Sequence, residues 1–170
     1  MGRASGVLLA VSSLPNSYGI GTFGKEAYDF IDFLVRTKQR YWQVLPLTTT
    51  SYGDSPYQSF SAAAGSPYYI DLKDLEKLGY LKSDDFEDIS FGTSNTCVDY
   101  GALFVNHRRL LNRAFDRFMQ DVPADFEKFC HDHAEWLDPY AEFMSLKEEF
   151  GHKAYWEWPK LYQHRNETTA

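Results

Sequence analysis

The sequence predicts an α/β fold, a parallel strand–helix–strand unit over roughly the first 80 residues, with helices from about residue 98 onward. Three observations predict it. The run GVLLAV at 6–11 is continuously apolar, the pattern of a strand covered on both faces. Ala27, Phe30, Ile31 and Leu34 recur at the spacing of one buried helical face. Residues 41–45, YWQVL, read as a second buried strand, stopped by Pro46. Strand, crossover helix and strand in this order make a βαβ unit, whose two strands run parallel.

The elements follow in order. Pro15, Gly19 and Gly21 end the first strand and permit tight turns. The first helix starts near Gly24 and Lys25, with Glu26 in its first turn and Arg36 and Lys38 near its last, as the helix dipole favours. After a long loop, 68–72 is expected to form a short strand. Leu72, Leu75 and Leu78 mark a short helical turn ended by Gly79. Residues 83–96 are polar and acidic, hence a connector. Leu103, His107, Leu110, Ala114 and Phe118 then line one helical face, widened by Phe104, Leu111 and Phe115. Phe126, Phe129, Cys130, His133 and Leu137 mark a second helix. Tyr140, Phe143, Met144 and Lys147 mark a third, ended by Gly151. Among these residues Ala27, Phe30, Ile31, Leu34, Val44 and Leu45 are expected to be buried.

Composition narrows the function. With 44% hydrophobic and 17% aromatic residues the chain is too rich in core formers for disorder. A net charge of −7 argues against a nucleic-acid partner, which demands a basic face. No apolar run approaches the ~20 residues of a membrane span, and no secretory signal is expected. Cys97 and Cys130 lie far apart without metal-ligand spacing, so they read as thiols of a reducing cytoplasm. His131 and His133 sit two apart on a helix, about 200° around its axis, and cannot share a metal.

The most telling stretch is the loop after the second strand. Within 46–66 stand Tyr52, Asp54, Ser55, Tyr57, Gln58 and Phe60, between Pro46 and the small-residue run AAAG. A polar loop gains nothing from two tyrosines for packing alone, and loops leaving parallel strands sit where ligands bind. Aromatic faces beside Asp, Ser and Gln suit a flat, hydroxylated ligand such as a sugar ring. Pro46 and Pro56 read as structural stops, and Trp42, on the strand, as core.

GVLLAVSSLPNSYGIGTFGKEAYDFIDFL and RYWQVLPLTTTSYGDSPYQSFSAAAGSPYYIDL together resemble the N-terminal part of the 4-α-glucanotransferases, glycoside hydrolase family 77 of the α-amylase clan. The match runs nearly without gaps from Gly6 to Leu72 and continues more weakly through VDYGALF to WEWPK. The resemblance implies the first part of a (β/α)8 TIM barrel followed by a helical insertion. A whole barrel needs about 250 residues, so the 170 present are expected to be an N-terminal fragment. Residues 1–80 would be the barrel's βαβ part with its sugar-binding loop 46–66. Residues 81–97 would form a connector, and 98–170 an incomplete helical insertion.

The resemblance also implies the chemistry. Its partners would be α-1,4-glucans (maltooligosaccharides and maltodextrin, with glucose as an acceptor), its compartment the cytoplasm, and no metal or organic cofactor is called for. Retaining transfer needs two carboxyl groups about 5–5.5 Å apart. In the family these stand on later strands, so no catalytic residue is expected before residue 170. Tyr57 resembles the aromatic that lines the subsite of the scissile glucose, and Asp54, Ser55 and Gln58 could hold the loop or bond sugar hydroxyls. Tyr52 resembles part of a second glucan groove, whose completing tyrosine is Phe104 here. Ala10 replaces a histidine common in relatives. The alternatives are a non-catalytic carbohydrate-binding module and an inactive truncation product. Trp156 and Trp158 read first as packing of the helices, with glucan contact the weaker claim.

Overall fold

The computed structural model describes residues 2–51, 53–94 and 96–163. The chain forms two compact units, Met1–Val122 and Pro123–Ala170. In the first, β1 (Gly6–Leu8) pairs in parallel with β2 (Tyr41–Gln43), with Val7 opposite Trp42. Helix α1 (Lys25–Arg36) makes the crossover between them. Both strands are shorter than the apolar runs suggested. The ladder closes after Gln43, whose carbonyl accepts from Leu9 N at 3.0 Å, and Pro46, which offers no N–H, cannot extend it. Past Leu9 the chain leaves the sheet, and Val11–Ser13 turn as a 3-10 helix. Burial on both faces is also corrected. Side chains alternate, and Val7 and Trp42 turn inward while Leu8 and Tyr41 are largely exposed.

Helix α1 buries Ala27 and Leu34 and sets Phe30 edge-on against Trp42 at 5.0 Å between centroids. Ile31 is 44% exposed, contrary to expectation, because it lies on the flank of the stripe that Ala27, Phe30 and Leu34 occupy. Phe30, Val44 and Leu45 are half-buried rather than buried. Val11, Leu14 and Ala27 form this core, with Leu9, Phe30, Trp42, Val44, Leu47 and Tyr69 packed around it. The Trp42 indole N–H donates to the Leu9 carbonyl at 2.9 Å, tying the end of β1 to β2. Trp42→Phe keeps an aromatic ring facing Phe30 but removes the five-membered ring and its donor. It is expected to cost about 1 kcal/mol in urea unfolding of this unit, with an unchanged slope.

The expected strand at 68–72 is instead a 3-10 turn, Pro67–Tyr69, since proline cannot donate to a ladder and is preorganised for a helical first turn. Helix α2 (Leu72–Lys77) follows, its N-terminus capped by the Asp71 carboxylate accepting from Asp74 N at 3.1 Å. The other Asp71 oxygen accepts from the Thr22 hydroxyl at 2.5 Å, and Thr22 accepts from the Asn16 amide at 3.1 Å. This buried bridge joins the loop after β1 to the start of α2. It requires close approach: a Cβ on Gly24 would fall 2.0 Å from the Asp71 carboxylate.

Helix α3 (Tyr100–Phe118) is capped by Asp99, which accepts from Ala102 N at 2.9 Å. Leu103, His107, Leu110 and Ala114 are buried on one face as the spacing predicts, while Phe104 and Phe115, on its edge, stay largely exposed. A second core joins Leu72 and Leu81 to Leu110 and Ala114, with Tyr18, Phe86, Ile89 and Phe91 packed on it. The acidic stretch 81–97 thus lies within the first unit. It is stitched to α3 by Asp85, whose carboxylate takes two bonds from Arg117 at 2.5 and 3.0 Å.

In the second unit, one helix, α4 (Ala124–Glu149), stands where two were expected. Pro139 lies inside it. A proline forfeits one helical bond, but the apolar spacing from Leu137 through Tyr140 to Phe143 stays in phase across it, so the helix continues. Gly151 and His152, both at positive φ, end the turn after it. Trp158 is buried between Phe143 and Phe150, 5.6 Å from each ring, whereas Trp156 is 67% exposed. His133 accepts from the Trp136 indole at 3.4 Å and lies against Phe129, while His131 points to solvent. Both cysteines are free, Cys97 exposed and Cys130 half-buried. Among the described residues no helix is long and apolar enough to cross a membrane.

A candidate carbohydrate-binding loop

The loop 46–66 is closed at its base by backbone. Thr48 and Gly65 form an antiparallel bridge, and Ser66 N donates to the Leu47 carbonyl at 2.9 Å. Thr49, Ala64 and Ser66 are buried there. Serine hydroxyls replace regular structure above the base. Ser59 meets the Thr49 hydroxyl at 3.2 Å and donates to the Ser61 carbonyl at 2.7 Å. The Ser61 hydroxyl accepts from Ala63 N and Ala64 N, both at 3.1 Å. These local bonds explain why a loop rich in serine holds one shape.

The tip consists of two consecutive turns. Asp54 N donates to the Ser51 carbonyl at 3.1 Å, Gln58 N donates to the Ser55 carbonyl at 3.0 Å, and Ser51 N closes both by donating to the Gln58 carbonyl at 2.8 Å. Gly53 and Asp54 both have positive φ, 89° and 55°, a conformation open to glycine and tolerated by aspartate. Ser55 serves the fold: its hydroxyl accepts from Tyr57 N at 3.3 Å. Tyr57, on the second turn, holds its ring 74% exposed, so the ring does not pack beneath the loop. Gln58 is exposed beside it and Asp54 is half-buried. Tyr52 lies outside the described residues.

Burial raises the Asp54 carboxyl above its ordinary range. Its charge reaches two tyrosines that sequence reasoning did not single out. Tyr68 and Tyr100, whose rings lie 6.2 Å apart, have hydroxyls pushed up first by their own burial, with the Asp54 charge adding to it. Tyr68 also meets the buried His107 edge-on at 5.7 Å. The loop tip is therefore electrostatically coupled to the start of α3, one turn before Phe104. Only the crowding of tyrosines in SPYYI and VDYG could have hinted at this. Ala10 precedes the 3-10 turn at the end of β1 and offers no polar group.

Chemically, the loop offers an open aromatic face, an amide and one carboxylate. That set can hold a sugar by stacking and hydrogen bonding. Asp54 is the sole acid in 46–66, so the loop lacks the second carboxyl that glycosidic bond exchange needs.

The family model described as 4-alpha-glucanotransferase, glycoside hydrolase family 77, matches residues 9–170. The 4-alpha-glucanotransferase of Streptococcus pneumoniae is 55% identical over 159 residues, 92% of this chain and 31% of the relative. That of Thermus thermophilus is 45% identical over 169 residues, covering 97% and 33%. Among solved structures, the amylomaltase from Streptococcus agalactiae in complex with acarbose superposes with a TM-score of 0.88 at 50% identity, covering 94% of this chain and 32% of that one. The chain thus spans about a third of the length of the relatives it matches. Matched along nearly its whole length, the chain belongs to the 4-alpha-glucanotransferase family, glycoside hydrolase family 77.

Proposed function

We propose that this chain is the N-terminal third of a cytoplasmic 4-α-glucanotransferase, and that its loop 46–66 forms one wall of the donor subsite. The β1–α1–β2 unit is then the opening of a (β/α)8 barrel, and α3 and α4 belong to a helical insertion. The parent enzyme cleaves an α-1,4-glucan and holds the donor as a covalent β-glycosyl-enzyme. It then passes the donor to the 4-hydroxyl of glucose or another maltooligosaccharide, with both steps inverting and the outcome retaining. The nucleophile and acid/base reside on the remainder of the parent. What this chain contributes is positioning. Tyr57 presents its face to the sugar, Gln58 and Asp54 meet its hydroxyls, and Ser55 keeps the turn in place. Transfer rather than hydrolysis requires that an acceptor outcompete water, which an aromatic wall promotes by excluding water and orienting the acceptor.

The observation that carries this reading is the exposed Tyr57 ring on a loop pinned at its base and tip. Incubated with maltotriose, the full-length parent should release glucose and build longer oligosaccharides, and the 170-residue chain should do neither. In the parent, Tyr57→Ala should lower turnover by about tenfold, since stacking is worth roughly 0.5–1.5 kcal/mol and part of it grows as the sugar distorts. Tyr57→Phe should retain most activity. If alanine leaves turnover and apparent affinity unchanged, the loop is not a sugar platform.

A further inference from the structure

The second unit carries an aromatic cleft that loop 46–66 does not use. Helix α4 supplies Glu142 and Phe143, and the segment after it returns over them with Tyr155, Trp158, Tyr162 and Gln163, enclosing about 300 Å³. That volume is at the lower end for small-ligand sites. The lining joins aromatic faces to a carboxylate, an amide and two phenol hydroxyls, a mixed chemistry unlike a plain apolar groove.

The cleft is held rigid from below. The Gln163 amide donates to the carbonyls of Trp156 at 2.9 Å and Trp158 at 2.7 Å. The Trp158 indole donates to the Lys153 carbonyl at 3.2 Å, and the Lys147 ammonium binds the carbonyls of His152 and Lys153. Glu157 accepts from Ala154 N, closing the 3-10 turn Tyr155–Glu157. These bonds fix a short segment whose aromatic side chains nevertheless face outward, Trp156 at 67% exposure and Tyr155 at 49%. Exposed aromatics clustered on a pinned backbone beside polar groups suit a ligand with one apolar face and several hydroxyls. Pro139 and Leu146 of α4 complete the lining on the helix side.

The geometry points to this cleft as a second α-glucan site, separate from loop 46–66 and sized for one or two glucosyl units. It takes its ligand class from the glucan reading above but stands on different residues. A site of this kind anchors a long glucan while the catalytic subsites work on its end, so its contribution is to affinity for long chains.

The test follows the four tryptophan indole N–H resonances of the chain as maltotetraose is added. The Trp156 and Trp158 signals should shift with millimolar affinity, while those of Trp42 and Trp136 stay in place. Tyr155→Ala and Glu142→Gln should each weaken that binding by about three- to tenfold, the scale of one stacking contact or one hydrogen bond to a charge. Tyr57→Ala should leave it unchanged, which separates failure of this site from failure of the loop. Equal shifts with cellotetraose would mean unspecific aromatic contact and overturn the proposal. So would no shift of Trp156 and Trp158, or indole signals collapsed to the unfolded position, because the cleft would then not be preformed. If the shift disappears in a chain extended with the parent's following residues, the cleft is covered by protein and is no glucan site.

Discussion

Asp85→Ala is expected to destabilise the first unit by about 2–4 kcal/mol, the scale for breaking a charge pair removed from most solvent. The Asp85 side chain is 11% exposed and accepts from Arg117 twice and from Lys82 N at 2.8 Å. Arg113 donates to the Asp85 backbone carbonyl at 2.5 Å, and Arg117 also reaches the Tyr80 carbonyl at 2.9 Å. Two arginines one turn apart on α3 thus hold residues 80–86 down. Removing the carboxylate leaves Arg117 part-buried with one weak partner and frees the N-cap of the turn at 83–86. Asp85→Asn keeps the shape and the bond from Lys82 N but loses the ionic pairing, so it should fall between wild type and alanine. Urea titration followed by circular dichroism reads the loss. An unchanged midpoint for alanine would show the clamp to be ornamental. The Arg117 guanidinium, opposed by burial, holds the Asp85 carboxyl down to about 2. Because the folded value lies below the ordinary 3.8, this stability is present above pH 4 and is lost as pH falls through 2. It amounts to about 1–2 kcal/mol after allowance for solvent screening.

The larger pH effect comes from His107. It is 1% exposed, and its ring nitrogens find no well-formed hydrogen bond, only a loose approach to the Ile70 backbone. Burial pushes its pKa down to about 4, opposed by the Ile70 backbone. The folded state therefore refuses a proton that the unfolded chain accepts below about 6.5. Stability is full above pH 6.5 and falls as pH drops from there toward 4, by roughly 2–3 kcal/mol in all. His107→Leu removes the titrating group and an unpaired buried polar side chain of similar size. It should flatten the profile between pH 4 and 6.5 and leave neutral-pH stability equal or higher. A wild-type midpoint constant across that window would overturn the reading. Together the two groups predict a chain that loosens at mild acidity through His107 and again near pH 2 through Asp85.

Much of the fold was legible. The parallel pairing of β1 and β2 followed from strand–helix–strand order, and the buried face of α3 at Leu103, His107, Leu110 and Ala114 followed from helical spacing. Of the loop's chemistry, the residue types were legible, and the placement of Tyr57 in solvent was not. The apolar positions 126–137 and 140–147 suggest two helices, yet they share one helical phase, so a single helix spans Pro139. Ile31 stands exposed although it follows the helical spacing, because a spacing names a face and not the width that neighbours cover.

The sequence by itself determined the βαβ order, the buried face of α3, the family and the residue types that loop 46–66 carries, since each is written in periodicity or in residues close along the chain. The tertiary structure alone decided where the strands end, which side of the sheet stays open, and that Asp85 meets Arg117 across 32 positions and Thr22 meets Asp71 across 49. It also decided that His107 is buried beside Tyr68 and the Ile70 backbone while the Tyr57 ring stands clear. The reason is physical: a local pattern specifies which side chains share a face, but burial, pairing and shifted proton affinities depend on what the rest of the chain brings against that face.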